Sequence, residues 1–337
     1  MKQKYTDKTG LPLIRLNLVY PLIEELERQQ IDSRFVLSGF NLSKKDVLTS
    51  DMFIPAPVMY GIVEQLAGAS GDPHFGVHAG ERLDPFSWQP LSDAAALSTT
   101  IGEFLLRFMI SAMDHESSAT YILETKGKRT TFHEKRKLDG NIRPRHNDGF
   151  TIAYFLTLFS RILGENWQGN KVLARLCDPG VLPTGYLGVR VAVTDTLGPS
   201  ITFPCRWLVL PLAMTRGKAN QQSERLAAPP PGKQIDALAQ VLQRHIHEFD
   251  LTVQRVAEIC GYSKRTLSRK LQSQGTSIRK EITKTRRKRA EWELTHSSRP
   301  IAEIAHMVGY EAPTVFSRAF RRWTGQSPRQ FRLSQLH

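Results

Sequence analysis

Apolar side chains recur every three to four positions through several stretches of this chain. Leu18, Leu22, Ile23 and Leu26 keep that spacing, as do Val58, Ile62, Val63 and Leu66. Ile101, Phe104, Leu105 and Phe108 repeat it, and so do Ile152, Phe155, Leu156 and Phe159. A period near 3.6 lines such residues along one helix face, so each stretch predicts an amphipathic helix. Between them, Ala119 to Glu124 and Thr130 to Glu134 are β-prone and separated by Gly127, a candidate hairpin. Leu187 to Val193 and Ile201 to Leu210 also read as strands, with Gly198-Pro199 between them. This part of the chain is therefore expected to form one α/β or α+β domain, its strand order open.

The run Ala227-Ala228-Pro229-Pro230-Pro231-Gly232 ends that pattern. Three prolines and a glycine suit neither a helix interior nor a central strand, and predict a semi-rigid linker. The boundaries then read 1–226, 227–232 and 233–337. Beyond the linker the spacing is helical throughout, and an all-α domain is expected. Ile235 to Phe249 is amphipathic through Ile235, Leu238, Val241, Leu242 and Ile246.

A repeat follows. Val253, Val256, Ala257, Gly261 and Tyr262 recur 48 residues later as Ile301, Ile304, Ala305, Gly309 and Tyr310. After one inserted residue, Leu267, Arg269 and Leu271 match Phe316, Arg318 and Phe320. Each copy meets the demands of a helix-turn-helix. A small Ala257 or Ala305 lets two helices cross closely. Gly261 or Gly309 ends the first helix, where a left-handed backbone is wanted. Leu267 or Phe316 plugs the second helix into the shared core. Ser263 is a good N-cap, and Pro313 suits a first helical turn.

Charge gives the repeat a partner. From Lys233 to His337 there are 20 of the 46 Lys and Arg residues but 9 of the 32 Asp and Glu. Most of the net charge of +14 thus sits in the last third, as expected of a module that neutralises phosphates. The second helix of each unit enters the major groove with its N-terminal turns facing bases. That presents Lys264, Arg265, Ser268 and Arg269 from the first copy. Thr314, Ser317, Arg318 and Arg321 come from the second. Arg pairs bidentately with guanine, Ser and Thr with several base edges, and either type also meets phosphates. Ser277 to His296, containing Lys284-Thr285-Arg286-Arg287-Lys288-Arg289, reads as one long helix holding the units apart, its basic side chains facing phosphates or water. A rigid spacer implies two adjacent major-groove segments of double-stranded DNA, about 34 Å apart.

At these residues the chain resembles the AraC/XylS family of regulators. Gly309-Tyr310, Phe316-Ser317-Arg318-Ala319-Phe320, Thr324-Gly325-Gln326-Ser327-Pro328 and Phe331-Arg332 stand at that family's spacing. The resemblance implies base contacts from Arg265, Ser268 and Arg269, then from Thr314, Ser317 and Arg318. Two positions depart from the pattern: Thr252-Val253-Gln254-Arg255 lacks the acidic residue that completes a capping box, and Pro313 stands where a polar residue is common. The N-terminal part resembles the arabinose-binding-type regulatory domain attached to one branch of the family. Gly71-Asp72-Pro73-His74-Phe75-Gly76-Val77, Gly80-Glu81-Arg82-Leu83, Pro90-Leu91-Ser92-Asp93-Ala94 and Thr100-Ile101-Gly102-Glu103-Phe104 carry that likeness. Pro73 to Gly76 reads as a structural turn. The resemblance implies a domain that binds a small-molecule effector or forms a homodimer. It favours activation, and hence contact with RNA polymerase, over repression.

Other classes are disfavoured. The chain carries no P-loop, GxSxG elbow or HExxH, so no catalytic residues, cofactor or metal are expected. His245 and His247 are two apart on a helix and point to different faces. Cys177, Cys205 and Cys260 form no CxxC pair, which argues against a disulfide framework and against a DNA-repair methyl-acceptor with a four-thiolate site, and points to a cytoplasmic location. Lys2 and Lys4 precede the apolar stretch Leu11 to Ile23, but Arg15, Asn17 and Pro21 interrupt it, so no signal peptide or membrane partner is expected. A sequence-nonspecific architectural DNA binder remains the alternative, although two differing recognition faces argue for sequence reading.

Overall fold

The computed structural model describes residues 12–49, 52–84, 89–136, 143–194, 198–212 and 235–335. Residues 1–11, the Ala227–Gly232 linker and the Ile235 side chain lie outside them. The chain divides into two units, Pro12–Pro231 and one holding Gly232–His337.

In the first unit a short pair, β1 (Leu13–Arg15) and β2 (Phe53–Pro55), brackets α1 (Tyr20–Arg28), α2 (Arg34–Ser38) and α3 (Lys44–Thr49). Helices α4 (Ala56–Ser70), α5 (Phe75–Arg82), α6 (Gln89–Leu97) and α7 (Ile101–His115) follow. Then come β3 (Ala119–Lys126), β4 (Arg129–Arg136), α8 (Arg145–Leu163), β5 (Leu173–Leu176), β6 (Arg190–Val193) and β7 (Ser200–Pro204). The sheet runs β3-β4-β7-β5-β6, antiparallel except for the parallel β5–β6 pair. The expected hairpin forms around Gly127, with Ala119 opposite Arg136. Two expected strands are shorter than their apolar runs. Leu187 takes a left-handed conformation (φ 46°) between Gly185 and Gly188, so pairing begins only at Arg190. After Pro204 the chain turns into a 3-10 segment, Cys205–Val209, which buries Trp207 instead of extending β7.

Helix α8 is the central column. Its apolar residues are buried on nearly every side, and Phe155 and Phe159 join Phe108, Phe132 and Phe203 in edge-to-face contacts against the sheet. Helix α5 lies against it closely enough that side chains at two α5 positions would collide. A Cβ on Gly76 would stand 1.9 Å from the His146 carbonyl oxygen, and one on Gly80 would stand 2.4 Å from that of Phe150. The preceding Asp72-Pro73-His74 turn is tied internally. Asp72 accepts from the His74 amide at 2.8 Å and from His78 at 2.7 Å, while the His74 ring meets the Val181 carbonyl at 2.8 Å.

A charge network sits inside this unit. Arg136 at the end of β4 binds Asp148 of α8, lies 2.8 Å from Glu134 and covers the Tyr60 ring at 5.2 Å. All three charged groups are buried. The second Asp148 oxygen accepts the Cys177 amide at 3.1 Å, and Glu134 accepts from Thr151 at 3.2 Å. Desolvation lifts the Glu134 carboxyl from 4.5 to about 7; Arg136 opposes the rise while Glu116 and Asp148 add to it. Between those two values the native state holds a proton that the unfolded chain has released. Stability contributed by protonated Glu134 is therefore present below pH 4.5 and lost as pH rises to about 7. Glu134→Gln removes that loss. Subtracting its urea-midpoint profile from that of the natural protein should leave a curve that falls across this window and is flat above it.

In the second unit α9 (Ile235–His245) is followed by α10 (Val253–Ile259), α11 (Lys264–Gln272), α12 (Ile278–His296), α13 (Ile301–Met307), α14 (Pro313–Thr324) and α15 (Pro328–Ser334). Helix α9 stops four residues short of Phe249, where Glu248 folds back onto His245 at 2.5 Å. Leu238, Val241, Leu242 and Ile246 are buried as one face.

Candidate nucleic-acid interface

Each repeat folds into two short helices around a left-handed glycine. Gly261 has φ 69° and Gly309 φ 74°. Ala257 and Ala305 are fully buried at the crossings, with Leu267 and Phe316 beneath the second helices. Thr252 caps α10 by accepting the Arg255 amide at 3.1 Å. The carboxylate that would answer it in a capping box is absent, and Arg255 reaches instead to Glu248 at 3.2 Å. Ser263 caps α11 through the Thr266 amide at 3.2 Å, and Pro313 opens α14.

Helices α11 and α14 bury one face and expose the other. Leu267 and Leu271 fix α11; Phe316, Ala319 and Phe320 fix α14. Opposite them Lys264, Arg265 and Arg269 are exposed and Ser268 half-buried. On α14 Thr314, Arg318 and Arg321 are exposed and Ser317 half-buried. All eight candidates thus lie on the two outward faces, four on each. Among the described residues Arg265, Arg318 and Arg321 make no ion pair, so their guanidinium groups are available to an external acceptor. Lys264 and Arg265 occupy the first turn of α11, which has no acidic residue. Cations there oppose the helix dipole by about 0.3–1 kcal/mol each, a cost that a polyanion against the helix would reverse. Val315 was missed. It is an exposed β-branched residue in the first turn of α14, suited to a thymine methyl. Its signal in the sequence was an apolar residue off the face set by Phe316 and Phe320.

Helix α12, 19 residues and about 28 Å long, touches the helices of both units. Its basic run does more than face phosphates or water. Arg286 donates to the Glu248 carbonyl at 3.3 Å and lies 5.0 Å over the Tyr310 ring. Arg287 pairs with Glu291 at 2.7 Å and donates to the Trp323 carbonyl at 2.9 Å, satisfying the end of α14. The turn of the second unit also presses on the chain before the first. A Cβ at Gly309 would stand 2.4 Å from the Ile246 carbonyl oxygen and 2.8 Å from that of Glu248. Gly309→Ala should therefore destabilise this domain by more than the about 1–3 kcal/mol of a strained left-handed residue. Thermal unfolding of the variant followed by far-ultraviolet circular dichroism checks this.

Burial pushes the Cys177 and Cys260 thiols up to about 12, so neither is a thiolate near neutral pH. All three cysteines are free. Among the described residues no group of three or more His, Cys, Asp or Glu is placed to hold a metal, and no helix is long and apolar enough to cross a membrane.

Two family profiles match the chain. One, described as a helix-turn-helix domain, matches residues 256–334; the other, the N-terminal arabinose-binding domain of AraC transcription regulators, matches residues 31–176. The HTH-type transcriptional regulator VqsM of Pseudomonas aeruginosa is 42% identical over 72 residues, 21% of this chain and 22% of that protein. The chain spans under a quarter of the length of the curated relatives it matches. Among solved structures, the C-terminal domain of AraT, a response regulator from Geobacillus stearothermophilus, is 38% identical, covering 30% of this chain and 84% of that one, with a TM-score of 0.28. The transcriptional regulator CdpR of P. aeruginosa is 19% identical over 94% of this chain and 98% of that one, with a TM-score of 0.41.

Proposed function

The chain belongs to the AraC/XylS family of transcription regulators, and from that premise we propose that it activates transcription at specific DNA sites under the control of a small-molecule effector. Residues 1–226 serve as the effector-sensing and dimerising domain, 227–232 as linker and 233–337 as the DNA-binding domain. Lys264, Arg265, Ser268 and Arg269 read one major-groove segment; Thr314, Ser317, Arg318 and Arg321 read the next. The single observation that supports this most is the pair of outward faces of different composition, each on the second helix of its unit and joined by one continuous helix. Two unlike faces give a two-part, asymmetric site. The effector acts by changing how a homodimer presents its two DNA-binding domains, so that a modest coupling free energy alters occupancy of paired sites. RNA polymerase is the partner once the protein is bound, and the cytoplasm its place of work.

Recovery of fragmented source DNA by the purified full chain at near-physiological salt tests the reading. A few enriched fragments sharing a two-part motif are expected. Uniform recovery of all fragments overturns it in favour of an architectural binder, whose affinity falls steeply with salt but depends little on sequence.

A further inference from the structure

Helix α7 buries one face and leaves another bare. Ile101, Phe104, Leu105, Phe108 and Ala112 point into the core. On the outer side Leu106, Ile110 and Met113 are 52%, 69% and 71% exposed. Their spacing of four and then three residues puts them on one stripe about two turns long. Contiguous exposed apolar surface of this kind marks a site of association.

The polar edge of the stripe indicates what covers it. Arg107 and Asp114 are both exposed and stand seven residues apart, close to two full turns, so they share one flank. Among the described residues neither side chain makes an ion pair. Glu103, on the same flank, is already engaged, accepting from the Thr99 amide at 2.8 Å and from its hydroxyl at 2.9 Å. When two copies of a helix pair antiparallel about a twofold axis, the same flank of each comes together in reversed order. Centring that axis near Ile110 sets Arg107 of each copy against Asp114 of the other and lays Leu106 beside Met113. A parallel twofold pairing would instead set this flank against the opposite flank of the other copy, where Met109 offers no charge to either residue. The surface is therefore complementary to itself in one orientation, as an isologous dimer requires.

We propose that α7 is the homodimer interface, formed antiparallel with a second copy of this chain through Leu106, Ile110 and Met113 and bordered by two reciprocal Arg107–Asp114 pairs. This names the surface for the homodimer in the proposed function and rests on that reading.

Sedimentation velocity of the full chain over a concentration series tests the proposal. The natural protein should be dimeric at micromolar concentration. Leu106→Asp with Ile110→Asp should yield monomer with an unchanged circular dichroism spectrum. Arg107→Asp alone and Asp114→Arg alone should each weaken the dimer at least about tenfold by placing like charges together. Combining them should restore association to within about threefold, because the exchanged charges pair again. A natural protein that stays monomeric up to its solubility limit overturns the proposal. A dimer indifferent to the two aspartates overturns it as well, and failure of the charge exchange to rescue overturns the antiparallel register. Enrichment of a two-part motif is measured alongside. If it persists while the dimer result fails, the interface is wrong and the regulator stands; if it is lost in the natural protein, the functional reading itself falls.

Discussion

Replacing Arg269 and Arg318 together with alanine lowers affinity for the preferred duplex by about 2–6 kcal/mol. Each side chain is assigned a base, a good bidentate pair discriminates by about 1–3 kcal/mol, and the two lie on separate units, so their effects add. Titrating each single variant and the double against the preferred duplex and a scrambled one checks this. Base reading predicts a large loss on the preferred duplex and a small one on the scrambled. Equal losses on both, with the salt slope reduced by about one per residue, would mean that these arginines meet phosphates. The two singles also divide the site: Arg269→Ala relaxes preference in one half of the motif and Arg318→Ala in the other.

Asp148→Ala unfolds the N-terminal domain more readily than any exposed substitution, at a cost of about 3–5 kcal/mol, because it leaves the buried Arg136 charge with Glu134 as its remaining close anion. The Cys177 amide loses its acceptor in the same step. Urea unfolding of the full chain, followed by tryptophan fluorescence in which Trp167 and Trp207 report the sheet side of the core, should show that domain's transition moving to lower denaturant. Removing both charges, with Arg136→Met and Asp148→Leu, should recover most of the loss, since Glu134, no longer held ionised by Arg136, keeps its proton and no uncompensated charge remains. A double variant as unstable as the single would assign the cost to packing instead.

How legible this molecule was differs between its halves for a physical reason. In the C-terminal half each constraint is local: a small residue at the crossing, a left-handed glycine four residues on, a cap, then an apolar plug. Ala257, Gly261, Ser263 and Leu267 therefore specify their unit within eleven consecutive residues. The roles of Arg286 and Arg287 were not legible, because a basic run looks the same whether it faces phosphate or ties distant turns together; their partners Glu248, Tyr310 and Trp323 are up to 38 residues away. In the N-terminal half the long amphipathic helices and the β3–β4 hairpin announced themselves by periodicity. Strand β5 did not, since four residues between two turns carry too little pattern, and its pairing with β6 and β7 is non-local. The eight candidate DNA contacts are readable as two helix faces, whereas Val315 carries neither charge nor hydroxyl to mark it in the sequence.

The ties across α12 have a consequence for the DNA. With α12 packed on the helices of both units, Arg286 tied to Tyr310 of the second and to Glu248 just before the first, and Gly309 wedged against the Glu248 backbone, the two reading heads form a gauge of fixed length and fixed phase. Adding one base pair between the halves of the site turns one half by about 35° and shifts it by about 3.4 Å relative to the other. Heads on a flexible tether would regain the site after a whole added turn; a rigid gauge cannot stretch that far. Spacing between the half-motifs should accordingly be invariant across every site this regulator occupies, and insertions of one base pair or of ten should both leave only a half-read sequence.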